Sequence, residues 1–212
     1  MTSQLRKRII VVGIGGASCS GKTLLAKHLR RALPNGTNII HQDDFCPTGQ
    51  HGGHPSHDHL NKQVEVGIRE AVFSKWEDRF HKYINEQRDQ GVELIWYIVD
   101  GFVLYWDKIF LRVPYDTLKA RRDERQVYVL QHGGVWVDPP GYFEKIVWPG
   151  YVKAHSSIFE EIEKGPVKQE WADRLRVVQP GEGEEGMTLA FNEACEAVLE
   201  QCKAGAGSFI SA

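Results

Sequence analysis

The sequence predicts an α/β fold: a parallel sheet flanked by helices, with a small lid. Three observations predict it. Apolar, β-branched runs alternate with segments whose apolar residues recur at helical spacing. One run, Leu94 to Val99 (L-I-W-Y-I-V), is apolar at every position, as in a strand buried on both faces. A glycine-rich turn separates the first strand from the first helix.

The elements follow in order. Arg8 to Ile14 reads as a buried strand. Lys22 to Leu33 reads as a helix, with Leu25, Leu29, Ala32 and Leu33 on one face, and Pro34-Asn35-Gly36 stops it. Thr37 to His41 is a short strand that runs into Asp43-Asp44. Residues 46–60, rich in Gly, His and Pro, have no periodicity, and their length favours a binding loop or a mobile flap. Asn61 to Arg88 follows as an amphipathic helix with Val64, Ile68, Ala71, Val72, Trp76, Phe80 and Ile84 inward, and Gly91 ends it. Strands are expected at Leu94–Val99 and Phe110–Val113. Asp116 then serves as N-cap of a basic helix. Gly133-Gly134 and Pro139-Pro140-Gly141 break the next segment. Tyr142 to Lys164 is helical with a kink near Pro149-Gly150, Leu175 to Val178 is the last strand, and Pro180 to Gly186 is an acidic loop before a closing helix at Thr188–Lys203. No repeat or linker divides the chain, so a single domain over residues 1–212 is expected, with lid and substrate loops at about 46–60 and 119–140.

Composition narrows the function. The 212 residues are 42% hydrophobic and 25% charged, which excludes collagen-like, disordered and disulfide-scaffold classes. A formal charge of −2 argues against a general nucleic-acid or membrane-surface binder. No apolar run is long enough to span a bilayer, and the basic N-terminus lacks the core and cleavage pattern of a signal peptide. Cys19, Cys46, Cys195 and Cys202 have no framework or metal-ligand spacing, which suggests a reducing, cytoplasmic location, with the nucleus also open.

Gly16 to Thr23 reads G-A-S-C-S-G-K-T and fits the phosphate-loop pattern in its required strand-turn-helix context. The backbone amides of Gly16, Ala17, Ser18, Cys19, Ser20 and Gly21 can cradle phosphate oxygens, helped by the positive end of the helix dipole. Lys22 reaches the terminal phosphates, and the Thr23 hydroxyl ligates Mg²⁺. GTPases, transport ATPases and small-molecule kinases share this loop, so the acids and the basic helix must discriminate among them. Asp43 and Asp44 follow a strand's carboxyl end, where a carboxylate can accept the proton of an attacking hydroxyl. Asp100 ends an apolar strand in the manner of a metal-holding acid. Arg121 and Arg125 share a helix face, whereas Arg122 lies about 100° away and can serve a second partner. Such arginines close over a transferring phosphoryl group and stabilise its charge; Arg121 is assigned to the nucleotide and Arg125 to catalysis.

The combination of G-x-x-x-S-G-K-T, H-Q-D-D-F (His41–Phe45), I-V-D-G-F (Ile98–Phe102), V-P-Y-D with R-R-x-x-R, and D-P-P-G-Y-F-x-x-x-V-W-P-x-Y (Asp138–Tyr151) resembles the nicotinamide riboside kinases, within the uridine kinase-like P-loop kinases. The similarity runs over roughly residues 9–155. It implies a P-loop kinase fold and transfer of the ATP γ-phosphoryl to the 5′-hydroxyl of nicotinamide riboside, with ATP and Mg²⁺ as cofactors. It makes Asp43 the base, Asp100 a metal-side acid, Arg122 a ribose-side residue and Arg125 a lid arginine. The family stacks the nicotinamide between two aromatics and binds ribose with an aspartate. Here His57-Asp58 and Tyr128 are the nearest matches, and the loop at 46–60 is shorter than usual. His51, His54, His57 and His59 cluster there, but no cysteine pair or helical His spacing supports a metal site.

Nicotinamide riboside is the implied small-molecule partner, without nucleic acid or membrane, and the chain is expected to be a monomer or weak homodimer. Two alternatives stay open. One is a uridine/cytidine or other nucleoside kinase, motivated by the short loop; the other is a non-kinase NTP-binding regulatory module.

Overall fold

In the computed structural model, which describes residues 5–42, 67–101, 107–125, 128–129, 135–205 and 208–210, the central strand β1 (Arg6–Gly16) is paired on both edges. On one side lies β3 (Val92–Asp100) and beyond it β2 (Asn38–His41). On the other lie β4 (Asp107–Leu111) and β7 (Arg176–Val178), and all five strands run parallel. β8 (Ser208–Ile210) adds antiparallel to the first half of β1, pairing Lys7 to Ile9. A separate two-strand ribbon joins β5 (Tyr128–Val129) to β6 (Val135–Trp136). The carboxyl ends of β1, β2 and β3 therefore meet at one end of the sheet, where ligands bind in open α/β folds.

Each face of the sheet buries its own cluster. Ile10, Val12 and Ile14 of β1, with Ile109, Leu111 and Val178, pack against α1 (Lys22–Ala32), α2 (Glu70–Asp89) and α6 (Gly183–Lys203). Phe110 points the other way, because successive strand side chains alternate. It joins Leu118 of α3 (Tyr115–Arg125) with Phe143, Tyr151, Phe159 and Leu175. Cys195 and Cys202 are buried free thiols within α6.

Several elements depart from the sequence expectation. α2 begins at Glu70, not residue 61; residues 67–69 are not helical and 61–66 lie outside the described residues. Its buried stripe is Phe73, Trp76, Phe80 and Tyr83, while Ala71 is exposed, because the large aromatics gain most from burial. Asp116 is not the N-cap of α3. The amide of Tyr115 donates to Glu163 Oε1 at 2.9 Å instead, a cap supplied from another part of the chain.

The helix expected at Tyr142–Lys164 stops at His155. A π-helical turn, Phe143–Val147, leads into α4 (Trp148–His155), and the Trp148 amide bonds back to the Phe143 carbonyl. Pro149 cannot donate and crowds the turn before it, so the widened turn sits there. After a short α5 (Gln169–Ala172), α6 starts within the supposed acidic loop. Glu184 and Glu185 in its first turn suit the positive helix end. Leu175–Val178 is not the last strand, since β8 follows α6. β4 begins earlier than expected and ends at Leu111, although the Arg112 amide still bonds Val178 O at 2.9 Å.

Candidate active site

The turn between β1 and α1 depends on three backbone conformations. Gly16 has φ +139°, and a Cβ there would stand 2.6 Å from the Leu111 carbonyl oxygen. Cys19 (φ 66°) and Gly21 (φ 94°) also take positive φ, which curls the chain around its own amides. The Ser20 amide closes the curl on Ala17 O at 3.2 Å. α1 begins immediately after Gly21 with no side-chain cap and no acid of its own in its first turn, so its positive end faces the turn. Lys22 Nζ lies over the curl and donates to Ala17 O at 2.8 Å.

Asp100 sits beneath this turn. It is the register partner of Ile14 on β1 and of His41 on β2, and it is buried at 3% exposure. Thr23 Oγ1 donates to Asp100 Oδ2 at 2.8 Å, and His41 Nδ1 lies 2.5 Å from Oδ1. Burial pushes the Asp100 carboxyl up, but hydrogen bonding and charge from His41, the Thr23 hydroxyl and the Lys22 charge outweigh it. The carboxyl is held below the usual carboxylate range. Ionised, Asp100 can only accept, so His41 donates from Nδ1.

Helix α3 approaches from the other side. Arg121 Nη1 donates to Cys19 O at 3.3 Å, Arg122 Nη1 to Ser18 Oγ at 2.9 Å, and Arg125 Nη1 to Cys19 Sγ at 3.9 Å. The expectation that Arg122 would serve a different partner from Arg121 and Arg125 holds only in part. All three reach the same turn, and Arg122 also grips Asp138 with Nε at 2.5 Å and Nη2 at 3.1 Å. Asp138 is held by the rigid Pro139-Pro140-Gly141 turn, closed by Tyr142 N to Pro139 O at 2.9 Å. Lys119 bridges Asp123 and Glu144, which ties α3 to the π-helical turn.

The structure thus brings together Lys22, Thr23, Asp100, Arg121, Arg122 and Arg125 around Gly16–Gly21. Asp43, His57 and Asp58 lie outside the described residues, as does the side chain of Tyr128 in β5. The described chain before Asp43 ends at Gln42, packed against Gly101 beside Asp100. Two members escaped the sequence reading. His41 and Asp138 both stood inside quoted motifs, but nothing local shows that they contact Asp100 and Arg122, which are 59 and 16 residues away.

Thr23 and Asp100 present hard oxygen donors next to a phosphate cradle, a donor set that suits Mg²⁺. Among the described residues no group of three His, Cys, Asp or Glu could hold a metal by itself.

No protein-family model matches the chain. Curated relatives do. It is 30% identical over 207 residues to a nicotinamide riboside kinase of Schizosaccharomyces pombe, covering 73% of this chain and 83% of that protein. It is 36% identical over 163 residues to nicotinamide riboside kinase 1 of Rattus norvegicus, covering 69% and 78% respectively. With nicotinamide riboside kinase 1 of Homo sapiens the identity is 32% over 160 residues, covering 69% and 76%.

Proposed function

The chain belongs to the nicotinamide riboside kinase family, and we propose that it transfers the γ-phosphoryl group of ATP to the 5′-hydroxyl of nicotinamide riboside, giving nicotinamide mononucleotide. One observation carries this reading. The turn at 17–23 is engaged from below by the Thr23–Asp100 pair and from above by the three arginines of α3. Phosphoryl transfer needs that arrangement, because its transition state spreads charge over several oxygens that fixed donors must meet.

Each residue then has a task. The turn amides and the end of α1 bind the triphosphate, and Lys22 swings from Ala17 O onto its terminal phosphates. Thr23 and Asp100 would hold Mg²⁺, which would supply charge neutralisation to the phosphates. Asp100 is kept anionic for this by His41. Asp43, which follows β2 in the sequence, takes the proton of the attacking hydroxyl. Arg121 and Arg125 close over the phosphoryl group, and closure excludes the water that would compete with the acceptor. Arg122, anchored by Asp138, orients the ribose side. His57, Asp58 and Tyr128 form the nucleoside pocket.

The test is a nucleoside panel with ATP and Mg²⁺. Turnover of nicotinamide riboside with kcat/KM well above that of uridine and cytidine is expected, and the reverse order would reject the acceptor. Asp43→Ala should lose turnover and keep nucleotide binding. Acceptor-independent phosphate release that survives this substitution would point instead to a regulatory NTP-binding module.

A further inference from the structure

The buried carboxylate of Asp100 has a hydrogen-bond donor at each of its oxygens. The Thr23 hydroxyl reaches Oδ2 at 2.8 Å, and the ring nitrogen Nδ1 of His41 reaches Oδ1 at 2.5 Å. Donors on both oxygens fix the plane of a carboxylate, which a single donor leaves free to turn about its Cβ–Cγ bond. The two donors belong to different elements: Thr23 lies in the first turn of α1 beside the phosphate turn, and His41 ends β2. The side chains of His41 and Asp100 are 15% and 4% exposed, so little water competes for their contact.

His41 is itself held in place. It is the register partner of Asp100 on neighbouring parallel strands. One residue further on, the side chain of Gln42 lies over Gly101 so closely that a Cβ at 101 would stand 2.8 Å from the Gln42 Cβ. The Gly101 amide in turn donates to Ile14 O at 3.1 Å. The ends of β1, β2 and β3 are thus joined at successive positions, and the imidazole is presented to Asp100 by backbone that is fixed on both sides.

The consequence falls on Thr23. A hydroxyl carries one proton and two lone pairs. Asp100 accepts the hydrogen bond, so the lone pairs of the Thr23 oxygen are left for another partner, in a direction set by where Oδ2 stands. A carboxylate free to turn would let the Thr23 hydroxyl turn with it. Outer partners of this kind orient the groups that touch a metal, and removing one typically weakens metal binding about 10–100-fold.

We infer that His41 is a positioning residue for a divalent cation: by holding Asp100 Oδ1 it fixes the carboxylate that orients Thr23, and so sets the affinity of that pair for the cation accompanying the triphosphate. This role rests on the Mg²⁺ site read at Thr23 and Asp100. The imidazole acts in it as a hydrogen-bond donor at a fixed place, so a neutral amide donor there serves as well.

Calorimetry of the full chain with adenosine 5′-(β,γ-imido)triphosphate, in Mg²⁺ and in a chelator, tests this without turnover. The ratio of the two affinities is the gain due to the cation. His41→Leu removes the donor but keeps an apolar side chain of moderate size, and His41→Asn restores an N–H donor. The gain should fall about tenfold in His41→Leu with the metal-free affinity unchanged, and should return to within about threefold of the unsubstituted chain in His41→Asn. An unchanged gain in His41→Leu, an equal loss with and without Mg²⁺, or no recovery in His41→Asn overturns the role. Asp100→Asn keeps the two levels apart, since it should lose most of the gain. Loss in Asp100→Asn with the gain kept in His41→Leu overturns the role of His41 alone. No gain in the unsubstituted chain, or a full gain in Asp100→Asn, overturns the Mg²⁺ site and His41 with it. Should His41→Leu fail to fold, His41→Ala takes its place with the same outcomes.

Discussion

At the scale of single residues, Asp100 and Arg122 hold the chemistry in place. Asp100 is nearly isosteric with Asn, so Asp100→Asn should fold normally but lose the charge that Thr23, His41 and Lys22 surround. Steady-state kinetics should show kcat/KM down by about a hundredfold or more, the scale of losing one fixed electrostatic contributor. The same carboxyl carries a pH signature. Its folded pKa lies below the ordinary value of 3.8, so its contribution to stability is complete above that value and is lost as pH falls through the lower folded one. Melting curves below about pH 4 should therefore flatten in Asp100→Asn relative to the unsubstituted chain. Arg122→Lys keeps the charge but loses the two-pronged grip on Asp138 and the reach to Ser18. It should lower kcat about tenfold with little change in melting temperature, because a fork cannot be replaced by a point charge. Lys22, Thr23 and Asp100 were legible because each sits at a fixed offset from a glycine turn or a strand end. Asp138 was not, since its role depends on where α3 docks.

At the scale of elements, α6 shows how a helix boundary can be set by tertiary contact. Its first turn holds Gly186, and a Cβ there would stand 2.1 Å from the backbone of Gly181. Alanine normally favours a helix over glycine by about 1 kcal/mol. Here the sign should invert: Gly186→Ala should destabilise by about 1–3 kcal/mol in urea unfolding, because backbone must move to admit the methyl group. Proline and glycine near that turn read locally as a loop, and only the close approach explains the helix. The π-helical turn before Pro149 follows the same logic: the sequence showed a break there, while its form depended on Phe143 and Tyr151 packing into the cluster around Phe110.

At the scale of the whole molecule, the sheet separates two apolar clusters, with Phe191 on one side and Phe110 on the other, both fully buried. A single folding domain requires them to unfold together. Phe110→Ala and Phe191→Ala should each lose about 3–5 kcal/mol and shift one common transition. Two resolved transitions would divide the chain into separate units. Among the described residues no helix is long and apolar enough to cross a membrane.

The sequence by itself determined the alternation of strand and helix, the phosphate turn, the acid at the end of β3 and the basic helix. Periodicity, glycine conformation and short motifs are properties of neighbouring residues, and a linear reading captures them. The tertiary structure alone decided that all three arginines land on one turn and that His41 and Asp138 buttress Asp100 and Arg122. Those facts depend on which distant segments pack together, and packing is a sum over the whole chain that no local pattern contains.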